Sequence, residues 1–327
     1  MKRLLFIYNP RAGKGMIHGR VSGLVNVFID HGYLPTVYPT QKRGDAIHRL
    51  EEWAGDYDAI VCAGGDGTLD EVVEGLLHSG RDIPIGYIPT GSTNDFAGSL
   101  GIPKDIMKSA AVAVSEHTLR CDIGRLHNGN HFVYVAAFGA LTEVSYETDQ
   151  TWKNIFGHAA YIFEAIKRLG DIKTYRIRVE TDDAVIEDEF IYGMVTNSES
   201  VGGFKGVVGA DIGLSDGVFE ITLVKKLQSV LDIPPVLTEL GKPESVGDKY
   251  YYRFKASRIK FISRDGDIAW TLDGEYGGAF RELEIVNEHQ AVSFRVTEKT
   301  ARQAMEAASG IEETASQSAD TGSQTEV

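Results

Sequence analysis

Ile60-Val61-Cys62-Ala63-Gly64-Gly65-Asp66-Gly67-Thr68-Leu69-Asp70-Glu71 decides how this chain is read. The apolar residues make a strand and the glycines a turn, after which Leu69, Val72, Val73, Leu76 and Leu77 recur on one face of a helix. Free backbone N–H groups and the positive helix end converge at such a turn, which is a ready anion site. Gly64, Gly65 and Gly67 let a phosphate approach the main chain with no Cβ in the way. The stretch is not a dinucleotide fingerprint, because G-x-G-x-x-G counted from Gly65 puts Asp70 where the third glycine belongs. A Walker A loop is absent too, since Gly13-Lys14 is followed by Gly15 rather than Ser or Thr. Thr68-x-x-Glu71 also fits a capping box, a purely structural explanation for that pair.

The pattern extends outward on both sides. Strands at Leu4–Tyr8, Leu34–Tyr38, Ala59–Ala63 and Ile83–Ile88 alternate with helical periodicity at Val21–Phe28, Asp45–Trp53 and Asp105–Ser115. That alternation is the mark of a parallel sheet covered by helices. A second turn, Pro89-Thr90-Gly91-Ser92-Thr93-Asn94-Asp95-Phe96-Ala97, follows another strand and opens another helix, at the same carboxyl edge of the sheet. Alone it could be a helix cap. After Thr118 the rhythm changes, because His127-Asn128-Gly129-Asn130 is a tight-turn signal between two strand-like runs. The boundary is placed near Arg125, giving residues 1–125 as an α/β domain and 126–300 as a β-sandwich. Expected strands there are Tyr175–Val179, Phe190–Thr196, Val218–Val224, Tyr250–Phe254, Ile259–Ile262, Ile268–Leu272 and Leu283–Val286, with one helix at about Trp152–Leu169. From Ala301 no aromatic residue occurs, and a disordered tail is expected, its bounds set at 310–327.

With 327 residues, two cores are the natural expectation. Composition is that of a soluble globular protein, 43% hydrophobic and 24% charged. The longest apolar run, Val133–Leu141, is far short of the roughly 18 to 20 residues of a spanning helix, which excludes an integral membrane protein. Leu4–Tyr8 is too short for a signal peptide, so a cytoplasmic location is expected. Two cysteines, Cys62 and Cys121, lie in apolar runs and read as core residues. The net charge of −14 repels nucleic acid and anionic lipid, so any membrane contact needs a local basic patch, for which Arg11, Lys14, Arg20 and Lys153 are candidates.

Taken together, Asn9-Pro10-Arg11-Ala12-Gly13, Gly64-Gly65-Asp66-Gly67-Thr68, the turn from Pro89 to Ala97, Asp216-Gly217 and Leu272-Asp273-Gly274-Glu275 resemble the diacylglycerol kinase catalytic-domain lipid kinases, which include sphingosine kinases. The resemblance covers about Lys2 to Val296. It implies an α/β (Rossmann-like) nucleotide-binding domain and a β-sandwich domain with the active site in the cleft between them. It further implies that Asn9, Pro10, Arg11, Ala12, Gly13, Thr40, Gly64, Gly65, Asp66, Gly67, Thr68, Glu71 and Ser92 hold ATP. By the same resemblance Asp66, Asp95 and Asp122 form an aspartate network for Mg²⁺. Three carboxylates at one phosphate site would need a cation among them. Asp216, with the carbonyls of Gly213 and Val218, is similar to the family's second, structural Mg²⁺ loop, although Asp-Gly before a strand is also an ordinary turn. Asp273 is implied as the base and Glu275 as the group that positions it.

The expected activity is therefore transfer of the γ-phosphate of ATP, with Mg²⁺, to a lipid hydroxyl, diacylglycerol to phosphatidic acid first. Other lipid alcohols, such as a sphingoid base or phosphatidylglycerol, are alternatives. The Thr93–Ala97 turn disfavours an NAD kinase, and the presence of both Asp66 and Asp273 disfavours a regulator without catalysis. The expected partner is a lipid at a membrane surface, with no nucleic acid; a homodimer is compatible with the reading. Gly98 stands where relatives commonly carry Arg, and Ser92 where Thr is common.

Overall fold

Along the first strand, β1 (Lys2–Tyr8), Leu4 and Phe6 enter one buried cluster and Leu5 and Ile7 another, and all four are fully buried. A strand apolar on both faces needs cover on both, which helices supply. In the computed structural model, residues 1–139, 173–197, 200–201, 204–205, 213–229, 232, 236 and 249–306 are described. β2 (Tyr33–Pro39), β1, β3 (Ala59–Gly64) and β4 (Ile85–Pro89) pair in parallel in that order. One face packs on Leu24 and Phe28 of α1 (Val21–Asp30) and on Ile106 and Ala110 of α5 (Ile106–Ala113). The other packs on Leu50 of α2 (Asp45–Trp53) and on Leu69, Val72 and Leu76 of α3 (Asp66–Ser79).

The chain leaves β1 toward β2 and leaves β3 the opposite way toward β4. Their carboxyl ends therefore frame the crevice where open α/β sheets bind ligands. A short helix, α4 (Asp95–Ser99), opens after β4.

From β5 (Thr118–Leu126) onward pairing is antiparallel except where the last strand meets β4: β6 (His131–Phe132) closes a hairpin on β5, at the turn expected from Asn128-Gly129. β7 (Val135–Gly139), β8 (Tyr175–Glu180), β9 (Val185–Thr196), β12 (Phe219–Lys225), β13 (Tyr251–Ala256), β14 (Arg258–Ser263), β15 (Ile268–Leu272), β16 (Glu275–Phe280) and β17 (Glu282–Arg295) follow, with the small pair β10 (Ser200–Val201) and β11 (Phe204–Lys205) apart. β9 pairs with β7, β8 and β12, so the ladder branches there. The branches wrap a second core holding Phe138, Phe190, Phe219, Phe261 and Trp270. The fold is thus an α/β part plus a β-rich C-terminal part.

β17 joins the two parts. Glu282–Val286 pair with β14, Ile285–Glu288 and Val292–Arg295 with β5 on either side of a bulge, and Phe294 lies beside Ile85 of β4. Only Leu283–Val286 was expected as strand; the polar run Asn287-Glu288-His289-Gln290 reads as a loop because it bulges there, with Gln290 at φ 52°. β16 was not expected either. The tail expectation needs correcting at its start, since residues 298–306 are helical and Ala301 is buried in the first core. Residues 310–327, the helix expected at Trp152–Leu169, Lys153 and the Lys14 side chain lie outside the described residues. Cys62 and Cys121 are buried, and burial pushes both thiols up. Among the described residues no helix is long and apolar enough to cross a membrane.

Candidate active site

The two glycine turns interlock. Thr90 and Gly91 donate their backbone N–H groups to the Gly64 carbonyl at 2.8 and 3.2 Å. A Cβ on Gly91 would sit 2.4 Å from Gly65 Cα and 2.7 Å from Asn94 Oδ1, so the chains touch with no room for a side chain. Asn94, at φ 54°, holds the second turn by exchanging hydrogen bonds with the Gly91 backbone. The loop after β1 closes on the same place: Asn9 N–H donates to the Ala63 carbonyl, and its amide donates to Thr68 Oγ1 at 3.3 Å. Gly13 has φ 54°, and a Cβ there would meet the Thr90 carbonyl at 2.0 Å.

These turns form one wall of a cleft of about 680 Å³. Asn9, Arg11, Ala12, Gly13, Thr40, Gly65, Gly67, Thr68, Glu71 and Ser92 all line it. The opposite wall is Leu272, Asp273, Glu275 and Tyr276 from the C-terminal part, so the two groups expected to act on phosphate and on hydroxyl face one space. Of the expected nucleotide residues, Pro10, Gly64 and Asp66 do not line it. The capping-box reading of Thr68 and Glu71 is overturned. Gly65 is the N-cap of α3 without a side-chain cap, and Glu71 instead accepts from Gly44 N–H (2.8 Å) and Ala46 N–H (3.4 Å), capping the neighbouring α2.

Carboxylates accumulate here, Asp70 and Asp273 in the lining and Asp66 and Asp95 outside it. Asp66 accepts from Asp95 N–H at 3.3 Å, tying α4 to the first turn, while its Oδ1 is buried with no hydrogen-bond partner. Burial first, and then the charge of Asp95, push its carboxyl up to about 6. Asp95 itself is buried. Asp70, one turn along α3 from Asp66, was noted in the sequence only as the residue that breaks the dinucleotide fingerprint. It lines the cleft, its Oδ1 is also buried without a partner, and burial followed by the charge of Asp273 holds its carboxyl well above the usual range. The signal that could have found it is the i, i+4 spacing from Asp66, which puts both on one helix face.

Asp273 stands at the end of β15 in the left-handed region, φ 50°. Its carboxylate accepts three backbone N–H groups, from Val133 to Oδ2 at 2.6 Å and from Tyr134 and Val135 to Oδ1 at 2.9 Å each. Burial pushes it up to about 7 against the pull of these three donors. Asp70 and Asp273 thus face each other as a buried pair, each of which resists a second negative charge. Glu275 is exposed, 3.4 Å from the Arg43 guanidinium across the cleft mouth, so it is the backbone of residues 133–135 that positions Asp273.

Asp122 is not part of this cluster. Fully buried, its Oδ1 accepts from His289 Nδ1 and Gln290 N–H and its Oδ2 from Gly217 N–H and Asn287 Nδ2, which leaves no lone pair for a metal or its waters. Its role is to tie the 213–217 loop to β17. In that loop Asp216 accepts from Val218 N–H at 3.2 Å, and Gly213 lies so close that a Cβ would meet the Asp216 carboxylate at 2.7 Å. Lys255 Nζ sits 3.4 Å from Asp216 and 3.0 Å from Glu220, so these carboxylates already have a cation beside them. Glu220, beside the loop, has both carboxylate oxygens buried without a hydrogen-bond partner, so Lys255 is the cation that answers this acidic group among the described residues. Arg11 and Arg20, of the basic candidates, are exposed.

Residues 3–126 match the family model for the diacylglycerol kinase catalytic domain. A protein named diacylglycerol kinase from Bacillus subtilis (strain 168) is 33% identical over 305 residues, 93% of this chain and 99% of that protein. One of the same name from Staphylococcus epidermidis (strain ATCC 12228) is 35% identical over 278 residues, 85% of this chain and 87% of that protein. Among solved structures, a protein assigned as a diacylglycerol kinase from Bacillus anthracis str. Sterne superposes with a TM-score of 0.78 at 27% identity, over 91% of this chain and 96% of that one.

Proposed function

The chain belongs to the diacylglycerol kinase catalytic-domain family, and on that premise we propose that it transfers the γ-phosphate of ATP to the free hydroxyl of diacylglycerol, giving phosphatidic acid. The observation that carries this is the facing of two walls across one cleft, interlocked glycine turns on one side and the buried Asp273 on the other. The turns would receive the phosphates on backbone N–H groups, with Asn9, Thr68 and Ser92 beside them. Asp273 would accept the proton of the attacking hydroxyl, held toward it by the N–H groups of Val133, Tyr134 and Val135. Glu275 and Arg43 would guard the entrance, where the headgroup end of the lipid must pass.

Two orphaned buried carboxylate oxygens, Asp66 Oδ1 and Asp70 Oδ1, together with the buried Asp95, fit a divalent cation at the phosphate end. Mg²⁺ bound there would offset phosphate charge. Asp66 and Asp95 would hold it. Membrane contact is assigned to the neighbourhood of Arg11 and Arg20, because the body of the molecule is repelled by anionic lipid.

The test is transfer of radiolabelled phosphate from ATP, in Mg²⁺, to dispersed diacylglycerol, a sphingoid base and phosphatidylglycerol, read by chromatography. Labelled phosphatidic acid is the expected product. Label on another lipid would reassign the acceptor, and no label on any lipid would sink the kinase reading.

A further inference from the structure

At the edge of the cleft, which Glu74 and His131 line, α3 and β6 bring together three side chains that the proposed phosphoryl transfer does not use. Glu74 and His78 lie at i, i+4 on α3, and His131 comes from the hairpin strand. Glu74 Oε1 is 3.0 Å from His78 Nε2, Glu74 Oε2 is 2.9 Å from His131 Nδ1, and one ligand atom of each residue lies within 4.8 Å of the other two. We propose that Glu74, His78 and His131 form a binding site for a divalent transition-metal ion of the zinc class, separate from the Mg²⁺ of the phosphate site.

An independent feature supports the assignment. Each imidazole has its second nitrogen next to another carboxylate: His78 Nδ1 is 2.9 Å from Glu51 Oε1, and His131 Nε2 is 3.6 Å from Glu288 Oε2. A histidine that donates one N–H outward to a carboxylate presents the lone pair of its other nitrogen inward, which is the usual outer support of a metal-bound histidine. Glu288 is itself held by Arg125, and His48 lies 3.4 Å from Glu51 on its far side. With neutral imidazoles the group carries three carboxylates against one guanidinium, a field that favours a cation. Two nitrogens and a carboxylate suit Zn²⁺ far better than Mg²⁺, which prefers oxygen donors and its own waters. In a tetrahedral zinc site neighbouring ligand atoms stand about 3.3 Å apart, so an ion would draw the three ligand atoms, now within 4.8 Å of one another, to that spacing, with one Glu74 oxygen as its ligand.

Location gives the site its consequence. His131 and Phe132 form the strand that runs directly into Val133, Tyr134 and Val135, whose N–H groups hold Asp273. An ion bridging α3 to β6 would clamp the α/β part against the strand that presents the base.

The probe is Co²⁺, then Zn²⁺, added to the metal-free full-length chain in excess Mg²⁺. One equivalent of Co²⁺ should bring visible absorption of a low-coordinate N/O site, Zn²⁺ should abolish it, and Zn²⁺ should raise the melting temperature. His131→Gln and the half-exposed His78→Gln should each weaken Zn²⁺ binding about 100-fold or more. Glu51→Gln, which touches no ion, should weaken it about 10- to 100-fold. Circular dichroism on His78→Gln checks that the fold is kept. The proposal is overturned if Co²⁺ shows no stoichiometric spectrum, or if the spectrum survives unchanged in both histidine variants, since the ion would then sit elsewhere.

Discussion

Asp273 is subject to opposed demands. Three backbone donors favour its anion, whereas burial first and then the charge of Asp66 favour a retained proton, and the outcome is a carboxyl raised to about 7. A base so placed loses its proton near neutrality, so kcat/KM should rise with pH through about 7 and fall below it, well above the limb an exposed aspartate would give. Asp273→Asn should lower kcat by about 10²- to 10⁴-fold while ATP binding is nearly kept, measured by single-turnover transfer and nucleotide titration. A near wild-type kcat would remove Asp273 from the chemistry. Asp70→Asn tests the partner: if the two carboxyls titrate as a pair, removing one of them should displace the acid limb of the pH profile. An unmoved limb would show that the two carboxyls do not share a proton. Asp70 escaped notice as a site residue in the sequence because a carboxylate one turn into a helix looks like solvated surface; only the fold turns that face onto the cleft.

At the scale of elements, the interlock of the two turns leaves no room for a side chain between them. Gly91→Ala would drive a methyl into Gly65 Cα, forcing the turns apart at a cost of about 1–3 kcal/mol. The expected result is a lower melting temperature together with a raised KM for ATP; a normal KM would mean that the turns act independently. The parallel strands and their helices were readable in advance because burial on both faces writes continuous apolar runs, and Asp45–Trp53 and Ile268–Leu272 agree with expectation residue for residue. Glu71 misled because Thr-x-x-Glu is a local pattern, while its real bonds go to α2, 25 and 27 residues earlier. Asp122 misled for a similar reason, since its four donors come from residues about 95 to 168 positions away, which no local spacing encodes.

For the whole molecule, the buried carboxyls predict a sign. Asp66 at about 6 and Glu220 and Asp273 at about 7 are all raised, mainly by burial. Stability from a raised acid is complete below its unfolded value near 4 and is lost as pH rises through the folded value. The metal-free chain should therefore melt higher near pH 5 than near pH 8, and Mg²⁺ should narrow the gap by answering the charge at Asp66; equal melting at both would contradict the burial. A second prediction concerns how the parts depend on each other. β17 places Val292 and Phe294 in the core of the α/β part, beside Cys121 and Ile123, and covers the edge of β4. A fragment ending at Arg125 keeps the glycine turns yet exposes that apolar face and an unpaired strand edge, which invites aggregation. The full chain should unfold in a single calorimetric transition, and the 1–125 fragment should lack a cooperative transition and fail to bind ATP. Two resolved transitions, or a folded fragment that binds nucleotide, would show that the returning strand decorates a unit already able to stand alone. The pairing of β17 with β14, β5 and β4 argues the reverse, because the strand cannot leave one part without opening the other.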